Sequence, residues 1–144
     1  HPDDPPVKNM RGTARLFYRT EEYEKLLDLY DSPSNGFELC MGTVQEMEGS
    51  NLLDFLDKYS RLDRIGYIHY RNVIGKVPHY REAFVDEGDI NMVKALEILK
   101  NNNYDGIIVP DHTPEMSCDA AWHAGMAFAM GYLKGAMQSL EIDT

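Results

Sequence analysis

The chain has 144 residues, long enough for one domain with a sizeable core, and its 43% hydrophobic and 26% charged residues suit an ordinary globular protein. Fourteen basic against twenty-four acidic residues give a net charge of −10, which argues against nucleic acid or an anionic membrane as partner, because phosphate binding needs a basic face. No apolar run approaches the roughly 18 residues of a membrane span, and the two cysteines, Cys40 and Cys118, offer no disulfide framework and fit a reducing cytoplasm.

There is no internal repeat, so residues 1–144 read as one unit. The first 19 residues, broken by Pro2, Pro5, Pro6 and Gly12, read as an irregular loop. From Thr20, a candidate N-cap, the spacing of Tyr23, Leu26, Leu27 and Tyr30 predicts a helix, which "SPSNG" stops. The strand "FELCM" follows, then a helix from Ser50 with Leu52, Leu53, Leu56 and Tyr59 on one face. "RIGYIHYRNV" reads as the second strand, followed by a loop of about 15 residues. Asp89 is placed as the cap of a third helix with Val93, Leu96 and Leu99 inward. "YDGIIVPDH" is the third strand, and "AWHAGMAFAMGYLKGAMQSL" the last helix, whose small residues suggest close packing against another layer. Strands alternating with helices call for a parallel sheet with crossover helices.

Residue parity assigns the faces of each strand. Glu38 and Cys40 share one face of the first, Ile65, Tyr67, His69 and Arg71 one face of the second, and Ile107, Val109 and Asp111 one face of the third. Each strand thus ends, at its carboxyl end, with a potential metal ligand: Cys40, His69, Asp111. Active sites of parallel α/β proteins lie at that edge, and a mixed N, S and O set suits a borderline divalent ion. Each residue also has a plainer reading: Cys40 as a small buried hydrophobe, His69 as a structural histidine, Asp111 as a turn cap. Spacing alone leaves both readings open.

"HPDDPP", "FELCMGTVQEM", "H.RNV", "DEGD..M" and "PDH" occur in order, and together they resemble mannonate dehydratase, a (β/α)₈ enzyme related in fold to xylose isomerase. The resemblance runs over nearly the whole chain and implies the carboxyl-terminal half of such a TIM barrel, since a full one needs about 250 residues. It implies dehydration of D-mannonate to 2-keto-3-deoxy-D-gluconate in hexuronate catabolism, with Mn²⁺ or Fe²⁺ as cofactor and a homo-oligomer as a possible full-length state. His1, closing a barrel strand that lies upstream, then joins Cys40, His69 and Asp111 as metal ligands. His112 of "PDH" is assigned proton transfer, a role suited to an imidazole. Arg71 is assigned to the substrate carboxylate, with a structural pairing to Glu38 or Glu82 as the alternative. Glu38, inside a barrel, needs a cationic partner or a raised pKa. Some family members carry a catalytic tyrosine after "PDH"; here Trp122 and His123 occupy that neighbourhood. Two rival readings are another metal-dependent sugar isomerase or epimerase on the same scaffold, and a non-catalytic half-barrel that binds a partner.

Overall fold

The computed structural model describes residues 1–142. A two-residue hairpin, β1 (Asn9–Met10) against β2 (Thr13–Ala14), interrupts the expected leading loop. The turn between them places Arg11 and Gly12 at positive φ, the geometry of a tight hairpin turn. Helix α1 (Glu21–Asp28) follows, then β3 (Phe37–Cys40), α2 (Met41–Glu46), α3 (Leu52–Arg61) and β4 (Ile65–His69). The hairpin β5 (Asn72–Lys76) and β6 (His79–Ala83) leads to α4 (Met92–Asn101), β7 (Ile107–Val109) and α5 (Ala121–Ser139). Among the described residues, no helix is long and apolar enough to cross a membrane.

The main sheet is parallel, as the alternation of elements predicts, and its strands lie in the order β3-β4-β7. Its helix-side face carries Leu39 and Ile68, packed in one core with Leu56, Tyr59, Leu96 and Leu99 of α3 and α4. Tyr23 of α1 joins through edge-to-face contacts with Phe37 and Phe55. Along α5 the buried residues are Gly125, Ala129, Leu133 and Ala136, so part of its Ala and Gly content packs closely as expected, while Ala127, Gly131 and Gly135 are exposed.

Several local expectations are corrected. The main chain of Thr20 is already helical and its side chain makes no cap bond. Tyr30, expected inward, lies beyond the helix and is exposed, because the Asn35 amide takes the carbonyls of Leu26, Leu27 and Tyr30 and ends α1 early. Helix α3 begins at Leu52, capped by Asn51, rather than at Ser50, and Asn91 rather than Asp89 caps α4, each cap accepting from the N–H three residues on. Asp89 instead accepts from Gly75 N, at 2.8 Å. The "loop of about 15 residues" is largely the β5–β6 hairpin, and "RIGYIHYRNV" is two strands, not one. The break falls at Tyr70–Arg71: Tyr70 N–H still bonds Val109 O at 2.7 Å, but Arg71 N–H turns back to His69 O at 3.1 Å.

Parity fails at one point. Phe37 pairs with Ile65 and Glu38 with Tyr67, so Gly66 is an extra residue in β4. The bulge lets Ile65 enter the core while Tyr67 and His69 face the other way.

Candidate metal centre

The register places Cys40 opposite His69, and His69 opposite Val109, at the carboxyl edge of the sheet. His1 arrives from the leading segment. The ligand atoms of His1, Cys40 and His69 all lie within 4.8 Å of one another. Asp111, two residues past the end of β7, approaches His69 Nδ1 to 3.4 Å through Oδ2 but falls outside that tight group. Three of the four ligands expected from the sequence therefore converge, with the fourth alongside.

Beneath them sits Glu38, 6% exposed. Its carboxylate oxygens lie 3.1 Å from His69 Nδ1 and 3.4 Å from His1 Nε2, yet neither contact is aligned as a hydrogen bond. Both Glu38 oxygens and His69 Nδ1 are buried polar atoms without a hydrogen-bond partner. Burial pushes Glu38 up to about 7, against the pull of His1 and His69. This meets the sequence requirement of a cationic partner and a raised pKa together. Burial also opposes ionisation of Cys40, but hydrogen bonding from His1 and His69 and the charge of Arg71 outweigh it and bring the thiol down to about 6. The Cys40 sulfur in turn raises His1 to about 9, against desolvation, and raises His69 as well. These groups sustain one another's charged forms, and two imidazoles with a thiolate-prone cysteine form a donor set that fits a borderline divalent ion.

Arg71 lies behind this cluster, with its side chain 3% exposed. Nε donates to both Glu82 oxygens at 2.9 and 3.0 Å, Nη1 to Asp4 Oδ2 at 2.5 Å, and Nη2 to Glu46 Oε1 at 2.8 Å. Nη1 also reaches Thr43 Oγ1 at 3.4 Å and Cys40 Sγ at 3.7 Å. Of the two structural partners weighed from the sequence, Glu82 is present and Glu38 is not.

The sequence profile of D-mannonate dehydratase (UxuA) matches residues 1–143. The chain belongs to that family. It is 32% identical to a mannonate dehydratase of Lactococcus lactis subsp. cremoris over 98% of this chain and 42% of the relative. It is 33% identical to mannonate dehydratase 2 of Halalkalibacterium halodurans over 78% of this chain and 33% of the relative. Its fold superposes on the crystal structure of mannonate dehydratase from Streptococcus suis serotype 2 with a TM-score of 0.83 and 26% identity, over 99% of this chain and 44% of that one. The chain thus spans less than half the length of these mannonate dehydratases. The parallel sheet matches part of the solved structure and is not a closed barrel.

Within this family member, His112 sits at the rim, 55% exposed, with Nε2 3.6 Å from Asp111 Oδ2 and Nδ1 3.6 Å from Glu82 Oε2. Trp122 and His123 stand edge to face in the first turn of α5, both exposed. The sequence reading missed Asp4 and Glu46 as partners of Arg71. Asp4 carried a signal, because it belongs to "HPDDPP". Glu46 lies in "FELCMGTVQEM", but α2 is six residues long and has no apolar period to announce its role. Asn72, set aside on parity, is a buried brace: its amide donates to Val85 O and Ile90 O and accepts from Ile90 N.

Proposed function

We propose that the full-length protein dehydrates D-mannonate to 2-keto-3-deoxy-D-gluconate, and that this chain is the carboxyl-terminal half of its (β/α)₈ barrel. The observation that carries the reading is the convergence of His1, Cys40 and His69 at the strand ends of a mannonate dehydratase family member. These three, with Asp111, would hold Mn²⁺ or Fe²⁺. The unpartnered Glu38 oxygens and His69 Nδ1 support the assignment, because buried polar atoms without partners are rare unless a ligand or ion completes them. When bound, the ion supplies Lewis-acid stabilisation of the charge that develops next to the substrate carboxylate.

The C2 proton of mannonate is only weakly acidic, and the departing C3 hydroxyl needs a proton. His112 is the residue we assign to proton transfer: it is accessible at the rim, and an imidazole can give or take a proton near neutral pH. Two carboxylates flank its ring nitrogens, Glu82 on the Nδ1 side and Asp111 on the Nε2 side, each at 3.6 Å. Glu38 closes the floor of the site. Arg71, expected to fork onto the substrate, has its guanidinium bound to Asp4, Glu46 and Glu82, which leaves a substrate carboxylate no free edge. We therefore assign the substrate carboxylate to the ligand cluster rather than to Arg71. A family enzyme acting on a sugar acid fits a cytoplasmic setting.

The test is incubation of the full-length protein with D-mannonate and Mn²⁺, assaying for the keto-deoxy acid. Product should form, and chelation should abolish it. His112→Ala should keep metal binding and lose about 10²–10⁴-fold in turnover. A loss below about tenfold would move proton transfer to another group, given that range. Isomerised or epimerised sugar in place of the keto acid would favour the rival activity on the same scaffold.

A further inference from the structure

We propose that Arg71 is the positioning residue of the metal centre: its one guanidinium bonds the two chain segments that carry His1 and Cys40 to its own segment, which carries His69, and sets their spacing. The proposal rests on the assignment of those residues as ligands. His1 stands three residues before Asp4, whose Oδ2 accepts from Nη1 at 2.5 Å. Cys40 opens directly into α2, whose Thr43 and Glu46 accept from Nη1 and Nη2 at 3.4 and 2.8 Å, while Nη1 also lies 3.7 Å from the Cys40 sulfur. His69 stands two residues before Arg71 itself, across the turn that ends β4. The β5–β6 hairpin joins as a fourth member through Glu82.

The bonds also close on one another. Thr43 Oγ1 donates to Asp4 Oδ2 at 3.2 Å, and Tyr80 of β6 donates to Asp4 Oδ1 at 3.2 Å. Asp4 is thus tied to α2 and to the hairpin as well as to Arg71, and the segment bearing His1 cannot shift without breaking all three links. The planar fork is what makes this possible. Three nitrogens leave the guanidinium in three directions in one plane, whereas an ammonium offers one point charge. A second feature accommodates it. A Cβ on Gly42 would lie 2.9 Å from Arg71 Cδ and 3.0 Å from Cγ and Nε, so the arginine stem lies against the start of α2 only because residue 42 is glycine. Groups behind the ligands that orient them are worth about 10–100-fold in metal affinity elsewhere.

The experiment uses the full-length protein, titrated with Mn²⁺ for affinity and with Co²⁺ for the sulfur-to-metal charge-transfer absorption that reports thiolate ligation. Arg71→Lys keeps the charge and loses the fork; Gly42→Ala keeps the arginine and displaces its stem. Both variants should retain the wild-type circular dichroism spectrum, weaken Mn²⁺ about 10–100-fold, and shift or lose the Co²⁺ band. Should Arg71→Lys fail to fold, Gly42→Ala decides alone. Folded variants with a lower unfolding midpoint but unchanged Mn²⁺ affinity and Co²⁺ band would overturn the proposal, because Arg71 would then serve the fold only. A wild-type protein that gives no Co²⁺ band overturns the ligand assignment, and this proposal with it.

Discussion

Two polar clusters lie back to back at the carboxyl edge of the sheet, and they are built on opposite plans. Around Arg71, three carboxylates, a threonine and a thiol meet one cation, and the close contacts are aligned hydrogen bonds. Around Glu38, two imidazoles approach within 3.1 and 3.4 Å, and neither makes an aligned bond. Burial is similar, since Glu38 and Arg71 are 6% and 3% exposed. The difference lies in the degree of satisfaction: in the Arg71 cluster Glu46 Oε2 lacks a partner, while around Glu38 both carboxylate oxygens and His69 Nδ1 do. A largely bonded buried network rigidifies its surroundings, while one with most of its atoms unpartnered at the same depth marks where a further ligand belongs.

The contrast is most easily broken at its satisfied side. Arg71→Met removes the cation that Asp4, Glu46 and Glu82 share, and removal of one partner of a buried ion network costs about 3–5 kcal/mol. Urea unfolding of the full-length protein should show this loss; a change under about 1 kcal/mol, the range of exposed pairs, would mean the network is solvated. At the unsatisfied side the expectation is reversed. Cys40→Ser should change stability little but weaken Mn²⁺ by at least about tenfold, because a hydroxyl is a poor substitute for a thiolate. Isothermal titration checks the second effect, and undiminished affinity would remove Cys40 from the ligand set.

A smaller effect sharpens the comparison through pH. Burial raises Glu46 to about 8 in the folded protein, despite Arg71, from an ordinary value of 4.5. A carboxyl whose pKa rises on folding binds its proton more tightly in the native state, so it costs stability as pH climbs from about 4.5 to about 8. Asp4 moves the other way: the charge and hydrogen bond of Arg71 overcome its burial and lower its pKa, so its contribution is present above the unfolded value and lost in acid. Glu46→Gln should therefore gain stability relative to wild type as pH rises through that window, and the two should converge at pH 4. Parallel curves from pH 4 to 9 would show that folding leaves the Glu46 pKa unchanged.

The parallel sheet and the strand-end placing of Cys40, His69 and Asp111 were legible in the sequence because both follow from short-range rules: apolar period for the helices, parity for the strands. Glu38 was legible for the same reason, as a charge on an inward position. Of Arg71's partners only Glu82 was weighed; Asp4 lies 67 residues away in sequence, and Glu46 stands on a helix too short to show an apolar period. The β5–β6 hairpin was hidden by its position. Its strands lie outside the main sheet, and the run "YIHYRNV" gives no sign of the turn at Tyr70–Arg71 that separates them.

The Gly66 bulge has a bearing on how the chain tolerates change in length. It takes up one residue at the entrance to β4, upstream of the positions that pair with Leu39 and Cys40. An insertion or deletion in the connection from α3, around residues 62–64, can be absorbed there, leaving Ile68 toward the helices and His69 toward Cys40. One residue added between Gly66 and His69 has no such outlet. It would rotate the imidazole into the apolar layer and bring an apolar neighbour to the rim, since a single step reverses every side chain that follows. Tolerance to length variation is thus polarised along this one strand, permissive before the glycine and closed after it.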